Sequence, residues 1–241
     1  MRNVEAWKPS WVVLDEATSQ FSAKINKLDS HSWYIMKLIT EQYIPVFRKY
    51  CTGRLLDVGC GKVPFYQVYQ DLVEENICMD LSSRDDIESF LDIQTDINKV
   101  WPIEDNSFDT VFSTDVLAHI RNPWHYFKES ARVLKSGGNL VITTPFVYWL
   151  SEYPYDYYRL SKFALEEICE ENDLRVVDLK TYGAHGDVLM DTLNKCLDGR
   201  IGFRFFKLLN WLMKSTGTIN RLNQRNKENY PLGYILVAKK N

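Results

Sequence analysis

The chain lacks most features that would mark a special class. Lys and Arg number 29 against 32 Asp and Glu over 241 residues, a formal charge of −3. That balance excludes a dedicated nucleic-acid coat, because phosphate binding needs an excess of cations. Eleven glycines and eight prolines are too few for a collagen-like or low-complexity protein. The cysteines (Cys51, Cys60, Cys78, Cys169 and Cys196) are odd in number and never form CxxC, so neither a disulfide framework nor a zinc site is suggested. No two of the four histidines have metal-ligand spacing. No apolar run reaches the ~18 residues of a membrane span, and residues 1–20 lack the apolar centre of a secretory leader. A cytoplasmic protein with reduced thiols is expected, with no metal, no transmembrane segment and no nucleic-acid partner. What the chain does have is 45% hydrophobic and 14% aromatic residues. That is enough for a sizeable core in one domain with an appendage, or in two very small domains.

Residues 1–50 are aromatic-rich without strand alternation. Trp33, Ile35, Met36, Leu38, Ile39, Tyr43, Ile44 and Phe47 recur mostly at three- and four-residue spacing, the signature of one or two amphipathic helices. From Arg54 the pattern becomes short apolar runs: Leu55–Val58, Ile77–Met79, Phe108–Phe112, Leu140–Thr144, Leu174–Leu179 and Tyr234–Ala238. Between them a helix is expected from Pro64 through Val73, another capped by Asn122 and stopped by Gly137-Gly138, and a third capped by Ser161 and ending near Asn172. Strands alternating with helices make parallel βαβ units, hence an α/β doubly wound sheet. Residues 183–230 separate the last two strands. Within them Gly199–Lys227 holds seven Lys or Arg and no Asp or Glu, so the remainder of the chain carries −10.

The richest segment is Leu55-Leu56-Asp57-Val58-Gly59-Cys60-Gly61-Lys62-Val63-Pro64-Phe65. A strand runs into a glycine turn and then a helix, which brings backbone N–H groups close to a ligand. Nineteen residues after Gly61 a second strand ends in Asp80, placed to accept hydrogen bonds from ribose hydroxyls. A dinucleotide loop wants a third glycine where Pro64 stands, and a pyrophosphate would be repelled by Asp57 at the end of the first strand. S-adenosylmethionine carries no phosphate, and its ammonium and sulfonium groups are attracted by a carboxylate. The acid points to that cofactor.

In these residues the chain resembles the class I S-adenosylmethionine-dependent methyltransferases, in motif order over residues 50–182. LLDVGCGKVPF resembles their first motif, with Val63 in place of the usual third glycine, and ICMDLS the second. TDINKVWPIEDNSFDTVFSTDVLAHI resembles the third and fourth, with Ala118 where a glutamate is usual before His119. ARVLKSGGNLVITTPF resembles the helix and strand that follow. The resemblance implies a Rossmann-like, seven-stranded, mostly parallel sheet with helices on both faces. Residues 1–50 would form a helical cap, 51–182 the cofactor-binding core, 183–230 a helical insertion and 231–241 the last strand. It also implies a cofactor set of Asp57, Gly59, Gly61, Asp80 with Leu81, Asp96 toward the adenine amino group, Ile97 through its backbone, and Ser113 ending the fourth strand.

An acceptor should meet the loops beyond the strands' carboxyl ends. PFVYWLSEYPYDYYRLSKFAL resembles the corresponding loop of a methyltransferase subgroup found in bacterial polysaccharide and glycan biosynthesis, with Ser151 where that subgroup usually has histidine. Its Tyr157 and Arg159 are candidate acceptor contacts, since rings stack on sugar C–H faces while polar groups orient hydroxyls. An internal Asp156–Arg159 pair is the competing reading. His185, just after the sixth strand, and Asp156 are the candidate proton acceptors; the resemblance makes His119 structural or cofactor-adjacent. The expected activity is methyl transfer to a sugar or glycan hydroxyl. Transfer to another small metabolite or a lipid-type acceptor, and a non-catalytic cofactor-binding module, are the alternatives. RIGFRFFKLLNWLMK reads either as contact with an anionic acceptor or membrane surface, or as a helix packed on the core.

Overall fold

The computed structural model describes residues 1, 3–15, 20–23, 30–81, 89–197, 199–225 and 228–241. Its main sheet has seven strands: β3 (Gly53–Val58), β4 (Val73–Asp80), β5 (Ile93–Gln94), β6 (Phe108–Thr114), β7 (Leu134–Pro145), β8 (Leu174–Tyr182) and β9 (Gly233–Lys240). They lie in the order β5-β4-β3-β6-β7-β9-β8, all parallel except β9. The doubly wound α/β sheet is as expected. Strand order reverses between β3 and β6, so the crevice for a ligand opens beyond Val58 and Thr114.

Alternation along each strand sends side chains to opposite faces. Leu56, Val58, Val111, Leu140, Ile142, Leu236 and Ala238 join one cluster. It includes Tyr126 and Phe127 of α3 (Pro123–Val133), and Leu165 and Ile168 of α4 (Lys162–Glu171). Leu55, Phe112, Val141, Ile235 and Val237 face the other way, against Ile39, Tyr43 and Phe47 of α1 (Trp33–Tyr50). Asn122 and Ser161 cap their helices as read, accepting from the backbone N–H groups of His125 and Ala164.

Several local expectations change. The N-terminal region holds an antiparallel hairpin, β1 (Val12–Asp15) with β2 (Gln20–Ala23), as well as α1. The inner face of α1 forms part of the sheet's core, with the Phe47 ring 4.7 Å edge-on from Phe112. The helix expected to reach Val73 shrinks to α2 (Tyr66–Tyr69), because Val73 pairs with Gly53 and opens β4. Gly137 and Gly138 do not stop α3, which ends at Val133; they lie inside β7. The insertion is helical: α5 (His185–Cys196), α6 (Gly199–Ser215) and α7 (Thr218–Arg225).

Candidate cofactor and acceptor site

The glycine turn is pinned to its neighbouring strand. Gly59 and Cys60 donate backbone hydrogen bonds to the Met79 carbonyl at 2.8 and 3.3 Å. Gly59 sits at φ +69°, and a Cβ there would meet the Val116 side chain at 2.7 Å, so both backbone and packing require glycine. Gly61 has φ +48° and open space where a Cβ would go. Its N–H donates to Asp80 Oδ2 at 2.8 Å, and the Leu81 N–H donates to Oδ1 at 2.6 Å. The carboxylate is thus aimed by backbone at the tip of the turn. Val63, in the third-glycine position of the motif, also has φ +47°, strained for a β-branched residue, and is buried against Cys60, Cys78, Phe90 and Leu91.

Register brings the second acid alongside. Asp80 pairs with Gln94, so Asp96 lies two residues beyond on the adjacent strand end. The Asn98 backbone and side-chain nitrogens both donate to Asp96 Oδ1 at 3.0 Å, and these bonds hold its carboxyl below the usual range. The Ile97 carbonyl accepts from Trp101 Nε1 at 3.1 Å. Ser113 is buried and donates to the Val58 carbonyl at 2.9 Å, tying β6 to β3.

Asp57 is the electrostatic anomaly of the loop. It is 3% exposed, and burial pushes its carboxyl up to about 7 even though the Tyr69 hydroxyl donates to Oδ2 at 3.1 Å. Within the N-terminal region expected to form a cap, the segment around Trp7 lies across the turn. Trp7 Nε1 donates to the Lys62 carbonyl at 3.0 Å, with its ring 5.0 Å edge-on from Tyr66.

Next to this loop a cavity of about 450 Å³ opens at the ends of β6 and β7. Trp11, Phe65, Tyr148 and Tyr182 supply rings, and Asp115 and His119 supply titratable groups. Asp115 has φ +56°, the kind of strained backbone that clusters at functional sites. Tyr43 and Thr143 hydroxyls each donate to its Oδ1 at 3.1 Å, yet burial still pushes the carboxyl up to about 6. His119 Nδ1 lies 2.7 Å from the Tyr155 carbonyl oxygen. A carbonyl only accepts, so Nδ1 carries the proton and Nε2 of the neutral ring keeps the lone pair.

The residues read as proton acceptors are elsewhere or engaged. His185 is exposed at the start of α5, its ring 5.2 Å from that of Tyr230, and it does not line the cavity. Asp156 accepts from Arg159 Nη2 at 2.7 Å and from the Ser151 N–H at 2.8 Å. The guanidinium holds its carboxyl below the usual range, which makes it a weaker base. Arg159 also donates to the Trp149 carbonyl at 3.0 Å, and the Tyr157 hydroxyl accepts from Arg121 at 3.2 Å. Arg159 and Asp156 therefore brace the aromatic loop. A buried Asp191–Lys195 pair supports it from below, with Lys195 Nζ 4.2 Å from the Tyr148 ring centre and 5.0 Å from that of Trp149.

Residues 56–142 match the family model described as a methyltransferase domain. Malonyl-[acyl-carrier protein] O-methyltransferase of Hahella chejuensis is 27% identical over 46% of this chain and 43% of that protein. Phosphoethanolamine N-methyltransferase 1 of Arabidopsis thaliana is 27% identical over 57% of this chain and 28% of its own. The chain thus matches less than half the length of these relatives. Among solved structures, phosphoethanolamine N-methyltransferase 2 of Haemonchus contortus in complex with S-adenosylmethionine superposes with a TM-score of 0.52 at 18% identity, covering 88% of this chain and 56% of that one. The [4+2]-cyclase SpnF superposes with a TM-score of 0.56 at 18% identity, covering 85% and 82%. These likenesses share the fold. Over residues 56–142 the chain is similar to methyltransferase domains. Its cofactor is S-adenosylmethionine, and a phosphate-free, cationic nucleoside suits the donor set of Asp57, Asp80 and the open face of Gly61.

Proposed function

We propose that the protein is an S-adenosylmethionine-dependent methyltransferase that O-methylates a sugar or glycan intermediate, with His119 as the proton acceptor. The observation that carries this reading is the ring-walled cavity beside the glycine loop, with His119 and Asp115 in its wall. The cofactor supplies an electrophilic methyl group. Methylating a neutral hydroxyl releases one proton, and a positioned base that takes it contributes about 10²–10⁴ in rate. Nε2 of His119 supplies the lone pair, while the Tyr155 carbonyl fixes the tautomer and Asp115 favours the imidazolium that forms. Tyr148, Tyr182 and Trp11 offer the aromatic faces on which sugar C–H groups stack. Ser151 and Glu152 bring the aromatic loop to the same wall. The reading places the protein in polysaccharide biosynthesis on the cytoplasmic side.

The test is methyl transfer from labelled cofactor to a panel of nucleotide sugars and lipid-linked glycans, with wild type and His119→Gln. The expected result is a methyl ether on a sugar hydroxyl, with turnover in the variant lower by about 10²–10⁴ and an unchanged cofactor dissociation constant. Transfer only to amines or carboxylates would replace the acceptor class. Wild-type turnover in His119→Gln would remove the base. Cofactor binding with no transfer to any acceptor would make the protein a binding module.

A further inference from the structure

Helix α6 satisfies the fold with one face and leaves a second apolar face uncovered. Phe206 and Asn210 are buried, and Phe203 and Met213 pack with Tyr34, Met190 and Ile219. Trp33 meets Phe203 and Phe206 edge-on, with ring centres 6.1 and 6.2 Å away. On the opposite face, Ile201 is 86% exposed, Trp211 63%, Phe205 56%, Leu208 54% and Leu212 45%. These five recur at three- and four-residue spacing and so form one stripe. Large apolar side chains scattered singly on a surface need no explanation, but a contiguous stripe does.

The charge around the stripe is of one sign. Arg204, Lys207 and Lys214 border it and, among the described residues, take part in no ion pair. The side chains of Arg200, Arg225 and Lys227, also counted in the basic segment, lie outside the described residues. A helix whose apolar face is flanked by cations lies in the plane of an anionic bilayer, its rings and aliphatic chains at the acyl boundary and its cations among the headgroups. Among the described residues no helix is long and apolar enough to cross a membrane, consistent with a helix that lies on one. We infer that the exposed face of α6 docks the protein onto an anionic lipid surface. A phosphate-rich polymer would satisfy the cations but would leave the stripe in water, so the apolar residues select the bilayer. The inference does not depend on the acceptor or on methyl transfer.

The test is cosedimentation of the full chain with phosphatidylcholine vesicles, alone or with about 30% phosphatidylglycerol. The wild type should partition onto the anionic vesicles and far less onto the neutral ones. High salt should weaken that binding, because screening shortens to about 3 Å at 1 M. Arg204→Gln with Lys207→Gln should weaken it about thirtyfold, each cation near such a surface contributing about fivefold. Phe205→Ser with Trp211→Ser should abolish binding at any salt. All four positions are exposed, so both double variants should keep the wild-type thermal midpoint. Absence of a preference for anionic vesicles, or unimpaired binding by the Phe205/Trp211 variant, overturns the inference. So does a solution dimer that this same variant converts to monomer, because the face would then belong to a second copy.

Discussion

Replacing Asp57 by Asn should make the cofactor-free protein more stable and a poorer binder. The carboxyl is buried at the end of β3, and its proton affinity rises from 3.8 to about 7 on folding. Each unit is about 1.36 kcal/mol, so the ionised form is disfavoured in the native state by roughly 4 kcal/mol. The sign is the reverse of ordinary acid denaturation. Well below pH 3.8 Asp57 is neutral whether folded or not, and it destabilises nothing. Between pH 4 and about 7 the unfolded chain is ionised while the folded chain stays protonated, so stability is lost across that window and levels off above it. About 2–3 kcal/mol of that loss should fall between pH 5 and pH 8. Asn has the shape of the neutral acid and still accepts from the Tyr69 hydroxyl. Urea denaturation from pH 5 to 8 should therefore show Asp57→Asn above wild type at pH 8 and the two curves converging toward acid. Calorimetry should show the opposite ranking for the cofactor, whose cations favour ionised Asp57: wild-type affinity rises with pH through about 7, and the variant's affinity is weaker and loses that rise, keeping only the one set by Asp115 near 6. Parallel stability curves for the two proteins, or a wild-type affinity that does not change from pH 6 to 8, would refute the reasoning.

Two further outcomes follow from contacts already described. Asp80→Ala should weaken cofactor binding by about tenfold or more, since hydrogen bonds to a charged group contribute about 1.5–3 kcal/mol; a calorimetric dissociation constant equal to wild type would remove the ribose assignment. Lys195→Met should cost about 3 kcal/mol, because it strands the buried Asp191 carboxylate. Adding Asp191→Asn should recover most of that loss in urea titrations at pH 7, and no recovery would mean that Lys195 acts through its contacts with the Tyr148 and Trp149 rings rather than its pairing with Asp191.

The sheet could be read from the sequence because its central strands are apolar on both sides, so each appears as an unbroken run bounded by turn residues. The two-residue β5 leaves no such run. The β1–β2 hairpin is too short, and too mixed in burial, to show alternation. The glycine turn was equally readable, since Asp57, Gly59, Gly61 and Asp80 lie within one βαβ unit whose geometry sets their spacing. The ring-walled cavity beside it was not. It draws on Trp11, Phe65, Asp115, His119, Tyr148 and Tyr182, six positions spread over most of the chain. His185 follows its strand closely enough to suggest a place at the cavity. Gly183 turns the chain at φ +61°, and Asp187 anchors the start of α5 through the Ala184 N–H at 3.1 Å and Asn223 at 2.8 Å, leaving His185 against Tyr230. Asp156 and Arg159, three residues apart, satisfy one another within the loop.

Asp57 and Asp115 also share an electrostatic logic that neither motif nor spacing reveals. They end neighbouring strands, β3 and β6, where the sheet reverses its order. Burial pushes both carboxyls up, to about 7 and about 6, although each accepts from hydroxyl donors. Among the described residues neither forms an ion pair. Hydroxyls stabilise a carboxylate without neutralising it, whereas a lysine or arginine would do both and remove the strain. Two acids kept, among the described residues, without a lysine or arginine partner at the mouth of the crevice destabilise the protein by themselves. A ligand bearing positive charge reverses that, because its binding energy includes the relief of ionising them. Sulfonium and ammonium groups meet this requirement, whereas a pyrophosphate would aggravate the repulsion. The choice of cofactor is therefore encoded as much in the lack, among the described residues, of a lysine or arginine paired with Asp57 or Asp115 as in the glycines of the turn.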